Sequence, residues 1–432
     1  MTKNEIVYRI RTHKFYIKRQ HPYYKKLQEM THASKNLFNQ ALYQTRQYFF
    51  KENTFLNQIT LNNILKDTEE YKTLHSYNCQ LSSQVLKTVV ETTKAFTNAT
   101  KQYYKNPTTF TGKPKLPRYK PKQGYYNLAF SYQVATIKNN YIHINSCDLH
   151  FPIPSYLKDL KKKTTPNQIL QGKDINPLEL VMMRINPKQS EFEIEIVYEK
   201  EIKHELNTEP ITRVASIDLG IDNLVTLTTT LPNNNPLLIN GRHLKSYNKH
   251  FNKTLADLKS KAMKCNNKHT TKRINILYQK RNKYFNTKMH QIASYITNYL
   301  VKNKIQLLII GYNPTWKQNS KLSKQTNQTF VQIPYLKLLN ILKYKSEEHG
   351  IIIKETEEYY TSGTSFLDDE QPIKDSYNKN RRVHRGLFRT NKGRLINADV
   401  NASYQIMKKL APTFSIKQLA NPRFFNPIRV TI

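Results

Sequence analysis

A carboxylate stands inside an apolar run at "RVASIDLGIDNLVTL", which begins at Arg213. Val214, Ala215 and Ile217 lead into Asp218, and Leu224-Val225-Thr226-Leu227 resumes the apolar pattern beyond Gly220. Burying an ionised carboxylate is costly unless it is paired or binds a cation. A second acidic group, Asp399, opens a helical pattern at "INADVNASYQIMKK". The positive end of the helix dipole suits it there, and helix capping is the simpler account of its presence. The two aspartates are far apart in the chain, so only a fold can join them. Asp222 reads as an ordinary hairpin-turn residue.

The elements that would have to position them differ between the two halves of the chain. Residues 5–19 alternate as a strand does. A helix is expected from Tyr24 to Phe50, with Leu27, Met30, Ser34, Leu37 and Leu42 as its stripe. A second runs through "CQLSSQVLKTVVETTKAFTNATKQYY", with Leu81, Val85, Val89, Thr92, Phe96 and Ala99 on one face and Ser82 or Ser83 as its cap. "NPTTFTGKPKLPRYKPKQG" (residues 106–124) is a basic loop. Strands follow, ending in "EFEIEIVYEKEI", where Phe192, Ile194 and Ile196 alternate with Glu191, Glu193 and Glu195 as in a half-buried strand. The second half reads as three strands, a basic helical stretch from about Asn252 to Val301, a buried strand "IQLLIIGYN", a helix stopping at Gly350, the strand "IIIKETEEYY" and a last helix. That order is the ribonuclease H-like plan. Nucleases built on it gather two or three acidic groups from separate elements around two Mg²⁺ ions, which activate water against a phosphodiester.

Composition points the same way. The 432 residues suggest two to four domains. Lys and Arg number 69 against 31 Asp and Glu, a formal net charge of +38, which a polyanion such as nucleic acid would neutralise. Twenty-nine tyrosines, many beside basic residues, could stack on bases. Cys79, Cys147 and Cys265 lie far apart and make neither a disulfide framework nor a thiolate zinc site. The start, "MTKNEIVYRI", has no signal-peptide core and no apolar run is long enough to span a membrane. A cytoplasmic protein with no membrane partner is expected.

The motifs then resemble the TnpB family, transposon-encoded proteins related to type V CRISPR effector nucleases. "SIDLGIDNLVTL" resembles their first RuvC motif and "ADVNASYQI" their third, usually Asp-x-Asn-Ala-Ala; "EEYYTSGTSF" resembles the segment before their zinc ribbon, and "GKPKLPRYK" an element of their first half. The resemblance implies a multidomain α+β protein. A β-barrel-like wedge domain (1–23 and 113–207) would carry a helical recognition insert (24–112). A RuvC nuclease domain (208–360, with the basic stretch 252–301) would be interrupted by a nucleic-acid-binding insert (361–397) before its last helix and tail (398–432). It also implies a guide RNA with a structured scaffold, double-stranded target DNA with a short adjacent motif, and two Mg²⁺ or Mn²⁺ ions at Asp218 and Asp399.

Two departures from the family stand out. Its second RuvC motif ends a strand with Glu, whereas Gly311 stands here. "IIGYNPTWKQ" fits a branch with this wording, in which the glutamate comes from elsewhere. The next parallel strand lies roughly 5 Å away and offers Glu357 and Glu358, with Glu355 less well placed. Alternation sends Glu357 and Glu358 to opposite faces, so one of them is expected to serve. The four zinc-ribbon cysteines are also missing, so no zinc is expected; Asp368, Asp369 and Glu370 would pair with the Arg-rich segment Arg381 to Arg389 or approach the metals. Expected nucleic-acid contacts are Lys25, Lys26, Lys113, Lys115, Arg118, Lys120, Arg273, Lys280, Arg281, Arg381, Arg382 and Arg385. His290 and Trp316 read as structural. The implied activity is RNA-guided DNA cleavage; a nuclease-inactive RNA-guided repressor, or a transposase acting directly on transposon ends, is the alternative.

Overall fold

A computed structural model describes residues 4–171, 174–205, 210–313, 332–384, 386–419 and 425–432. Trp316, Lys317 and Arg385 lie outside them. The chain is a mixed α/β protein that divides into two compact units, residues 6–202 and residues 1–5 with 203–432. Among the described residues, no helix is long and apolar enough to cross a membrane.

In the unit formed by residues 6–202, strand β1 (Asn4–Lys18) is followed by helices α1 (Tyr24–Glu52), α2 (Gln58–Leu65), α3 (Glu69–Tyr77) and α4 (Cys79–Lys105). The α1 stripe is buried as its spacing requires, including Leu27, Met30, Ser34, Leu37 and Leu42. In α4 the buried face is Leu81, Ser82, Val85, Leu86, Val89, Val90 and Thr93, turned slightly from the expected one. Its cap is Asn78, whose side chain accepts the Gln80 amide, so neither Ser82 nor Ser83 caps it. Then come β2 (Leu128–Ser131), β3 (Thr136–Lys138), β4 (Tyr141–Ile144), β5 (Leu149–Pro152), β6 (Lys161–Lys162), α5 (Pro166–Leu170), β7 (Leu178–Pro187) and β8 (Glu191–Glu205). One sheet has the order β1-β8-β7-β2, with β6 beside β7, and β3-β4-β5 form another. Strand β8 is not half-exposed: Glu191, Glu193 and Glu195 are buried as well as Phe192, Ile194 and Ile196. Opposite charges on neighbouring strands make this tolerable. Lys14 reaches Glu193 and Glu195, Arg184 lies 3.0 Å from Glu195, and Lys188 lies 3.3 Å from Glu193.

The second unit is built on a six-stranded sheet. Its strands are β9 (Val214–Leu219), β10 (Asn223–Thr229), β11 (Leu237–Asn240), β12 (Leu307–Gly311), β13 (Ile352–Thr356) and β17 (Ile428–Val430), in the order β13-β12-β9-β10-β11-β17. Strands β9, β10 and β11 are antiparallel neighbours, while β12 runs parallel to both β9 and β13. The basic stretch is two helices, α6 (Arg242–Asn266) and α7 (Lys272–Lys302). The break falls where Asn267 takes a left-handed conformation and Thr271 caps α7. Helix α8 (Tyr335–Glu347) precedes β13, with Gly350 left-handed as the stop requires. The small strands β14 (Arg382–His384), β15 (Leu387–Arg389) and β16 (Leu395–Asn397) form a three-stranded sheet before helix α9 (Ala398–Leu410).

Period-two alternation sorts the sheet's two faces. Ala215, Ile217 and Leu219 of β9, with Leu308 and Ile310 of β12, pack against α7 and α8. Val214, Leu307 and Ile309 face the other way, into a core with Tyr404, Ile406 and Met407 of α9 and Phe366 and Phe388 of the segment before it. By the same period Ser216, Asp218 and Gly311 lie on the α9 face.

Candidate active site

Strand β9 ends at Leu219, so Asp218 sits near its end and faces α9. Parallel pairing sets Ile217 beside Ile310, which brings Gly311 level with Asp218 on the neighbouring strand. Asp399 lies in the first turn of α9 but does not cap it. The Asn397 side chain accepts the amides of Asp399 and Val400, leaving the Asp399 carboxylate available for other partners. Those partners are the Asn223 amide, 2.8 Å from Oδ2, and the Arg382 guanidinium, 3.5 Å from Oδ1.

The two aspartates feel each other. Burial, and then the Asp399 carboxylate, push the Asp218 carboxyl up to about 8; Arg382 and the Leu219 amide pull the other way. A cation bound between the two carboxylates would relieve that repulsion.

Glu357 and Glu358 part company here. Strand β13 stops at Thr356, and the chain then turns back, the Thr361 amide and hydroxyl both donating to the Glu358 carbonyl. The turn leaves Glu357 exposed. It lays Glu358 across the end of β12: a Cβ added to Gly311 would sit 2.7 Å from Glu358 Oε1 and 2.8 Å from its Cγ, as well as 2.5 Å from Ile406 Cδ1. The Glu358 carboxylate thus occupies the space into which a side chain at position 311 would project. Glu355 is turned to Lys343, 2.8 Å away. Tyr335 belongs to the same neighbourhood. Its hydroxyl donates to the Gly220 carbonyl at 2.6 Å, and burial, then Asp218, then Glu358 raise its pKa. Helix α9 also holds the segment that follows Glu358: Asn401 donates to the Thr364 carbonyl at 2.8 Å and accepts the Phe366 amide at 2.9 Å.

The donors are carboxylate oxygens, which suit a hard divalent cation. Among the described residues, however, no three His, Cys, Asp or Glu side chains stand together as a ligand set. Two aspartates converge on one face, and Glu358 approaches them along the sheet. Asn223 and Tyr335 escaped the sequence reading because a lone Asn or Tyr carries no pattern.

The acidic triplet forms a clamp around the small sheet. Glu370 lies 2.6 Å from Arg381 and accepts the Ser365 amide, Asp369 lies 2.6 Å from the buried Lys408 of α9, and Asp368 accepts the Asn391 amide at 2.7 Å. Arg381 is therefore held by Glu370, and Arg382 is turned to Asp399.

Other basic residues divide. Lys25, Lys115, Arg118, Arg273 and Lys280 are exposed, and Lys26 is half-buried. Lys113 is exposed with its ammonium 5.4 Å from the Tyr104 ring. Lys120 packs over Phe38 and Tyr126 while Asn39 pins its backbone. Arg281, an expected nucleic-acid contact, does not point outward. It lies over Phe251 and Phe285 and donates to Asn248 and the Gln332 carbonyl, because α6 folds back alongside α7 and covers it. His290 is half-buried, 3.3 Å from the Tyr344 hydroxyl, and Asp222 pairs with Lys245 at 3.1 Å.

Two family models match the chain. One, OrfB_IS605, described as "Probable transposase", covers residues 195–317; the other, described as "Cas12f1-like, TNB domain", covers residues 335–406. Asp218 falls in the first, and Glu358 and Asp399 in the second. The TnpB-like protein ORF457 of Acidianus two-tailed virus is 27% identical over 204 residues, 46% of this chain and 42% of that protein, so the match spans less than half the relative's length. Among solved structures, the Cas12f1–sgRNA–target DNA complex aligns over 92% of this chain and 98% of its own, at 14% identity and a TM-score of 0.35. A CRISPR-Cas12f ternary complex aligns over 88% and 80%, at 14% identity and 0.36, and CasPhi-2 (Cas12j) over 93% and 91%, at 9% identity and 0.37. The two family models and the viral relative make the chain similar to TnpB-like proteins over residues 195–317 and 335–406.

Proposed function

We propose that the protein is an RNA-guided DNA endonuclease with one RuvC-type site, in which Glu358 stands in for the acidic residue missing at Gly311. The observation that carries this reading is the Glu358 carboxylate lying over Gly311, level with Asp218 on the adjacent strand. Two Mg²⁺ or Mn²⁺ ions bound there would supply an activated water and stabilise the leaving oxygen of the phosphodiester. Asp218 and Asp399 would hold them, with Glu358 completing the set. Asn223 orients the Asp399 carboxylate, Tyr335 fixes the backbone turn after β9, and Arg382 is placed to exchange Asp399 for a phosphate oxygen when substrate enters.

The remaining roles rest on the resemblance to TnpB-like proteins and on the net charge of +38. In this reading β1 with β2 to β8 is the wedge domain, α1 to α4 the recognition insert, and the clamped small sheet the target-binding insert. Guide RNA pairing reads the sequence, while protein reads backbone shape and a short DNA motif. Lys25, Lys26, Lys115, Arg118, Arg273 and Lys280 serve as backbone contacts.

A guide-dependent binder that does not cut is the second reading, favoured by the lack of a closed three-ligand set among the described residues. A transposase acting on transposon ends is the third, favoured only by the wording of one family model. Plasmid cleavage in Mg²⁺ by protein co-purified with RNA from its own locus separates them. Guide-matched cutting that Asp218→Ala removes is the expected result. Binding to the match without cutting would support the repressor, and cutting that ignores the guide would support the transposase.

A further inference from the structure

Three buried hydroxyls meet where strand β10 packs with β9 and α9, the two elements that carry the aspartates. Ser216 is on β9, Thr228 on β10 and Ser403 on α9, and each is almost completely buried. Ser216 Oγ donates to the Ser403 carbonyl at 2.7 Å and lies 2.7 Å from Thr228 Oγ1. Thr228 Oγ1 lies 2.9 Å from Ser403 Oγ, which is also 3.1 Å from the Ser216 carbonyl and 3.3 Å from that of Thr226. The protons can be placed consistently: Ser216 donates to the helix carbonyl, Thr228 to Ser216, and Ser403 to Thr228 or a strand carbonyl. Every hydroxyl then has a partner, as its burial requires.

We propose that this hydroxyl knot is a positioning device that sets the separation of Asp218 and Asp399; it rests on the nuclease reading above. Ser216 precedes Asp218 by one strand repeat on the same face, and Thr228 and Thr226 are the register partners of Ser216 and Asp218. Ser403 follows Asp399 by one helical turn, about 5.4 Å. The knot therefore ties the helix to the strand one step behind the carboxylates on both elements. Apolar contacts between α9 and the sheet are non-directional and would permit sliding, whereas these bonds are directional and break together. Such a tie is needed because the two carboxylates repel each other before any cation arrives, and ligands must be held to about 0.5 Å to bind well.

The test compares Ser216→Ala, Thr228→Val, Thr228→Ser and Ser403→Ala in the full chain. Mn²⁺ binding is measured by calorimetry, the Mn²⁺ dependence of guided cleavage by rate, and α9 order by amide exchange in EDTA. Ser216→Ala and Thr228→Val are expected to weaken Mn²⁺ binding about tenfold, as loss of a ligand-orienting partner does. Cleavage should recover at saturating Mn²⁺, α9 amides should exchange faster, and Thr228→Ser should behave as wild type. Ser403→Ala keeps the Ser216 bonds to the helix carbonyl and to Thr228, so it should give a smaller shift; it carries the test if the others misfold. Wild-type Mn²⁺ affinity in well-folded Ser216→Ala, or in Ser403→Ala if the others misfold, overturns the proposal, as does a rate loss equal at every Mn²⁺ concentration. A wild-type protein that neither cuts nor binds Mn²⁺ more tightly than Asp218→Ala overturns the nuclease reading itself and the knot with it.

Discussion

Both units hold carboxylates in a sheet, fully buried in one and half-buried in the other, and they treat them in opposite ways. In the sheet containing β8, Glu193 and Glu195 are matched by Lys14, Arg184, Lys188 and the Tyr16 hydroxyl. Burial alone would raise Glu193, but Lys14, Lys188 and the Tyr16 hydroxyl outweigh it and hold the carboxyl below its ordinary value. In the sheet containing β9, desolvation and then the neighbouring Asp399 carboxylate raise the Asp218 carboxyl to about 8 in spite of Arg382. A compensated buried charge is a structural feature. One whose partners do not offset burial and a like-charged neighbour costs stability, and such groups concentrate at sites where a cation or a reaction makes use of them. The contrast sets residues that hold the fold against residues proposed to hold metal.

The sharpest break of this comparison is to remove the repelling aspartate pair. Asp218→Ala or Asp399→Ala is expected to lower guided cleavage by about 10³-fold or more while leaving guide-dependent DNA binding within about threefold, read by cleavage rate and gel shift. Next in size is Gly311→Glu. Restoring the family's usual residue forces its Cβ against Glu358 and Ile406, so cleavage should fall about 100-fold; Gly311→Glu with Glu358→Gly should recover part of it. Full activity in the single variant would show that the two positions do not compete for one space.

A third prediction concerns sign. A depressed carboxyl such as Glu193 stabilises the fold above its unfolded value of 4.5 and loses that stability as pH falls through its folded value. A raised one such as Asp218 costs nothing below 3.8 and costs progressively more up to about 8. In EDTA, Glu193→Gln should therefore lower the unfolding temperature most near neutral pH and approach wild type in acid. Asp218→Asn should raise it, most of all at about pH 8. Parallel slopes would erase the distinction. The smallest effect is expected at Arg281, a basic residue that the fold has absorbed. Arg281→Met should cost about 1–3 kcal/mol of stability by denaturant titration, with less effect on nucleic-acid affinity than Lys280→Ala.

The sequence carried the framework of the site because hydrophobic period is a local signal. Strands β9 and β12 and helix α9 are continuous patterns, and Asp218 and Asp399 interrupt or open them visibly. What it could not carry depends on neighbours. Alternation in β8 marks a polar face but not the Lys14 and Arg184 charges that cover it. Arg281 reads as one of many outward cations until Phe251, from a different helix, closes over it. Alternation along β13 could not choose between Glu357 and Glu358, because the strand ends at Thr356 and a turn sets both side chains. Ser216, Thr228 and Ser403 are unremarkable singly and acquire meaning only when three elements meet.

The most direct test of the central claim compares Glu358→Gln with Glu357→Gln in the same guided cleavage assay, with Mn²⁺ binding measured alongside. Loss of about 100-fold or more in cleavage for Glu358→Gln, with weakened Mn²⁺ binding and near wild-type behaviour for Glu357→Gln, is the predicted result. Full cleavage by Glu358→Gln would contradict it and place the third acidic group elsewhere in the chain.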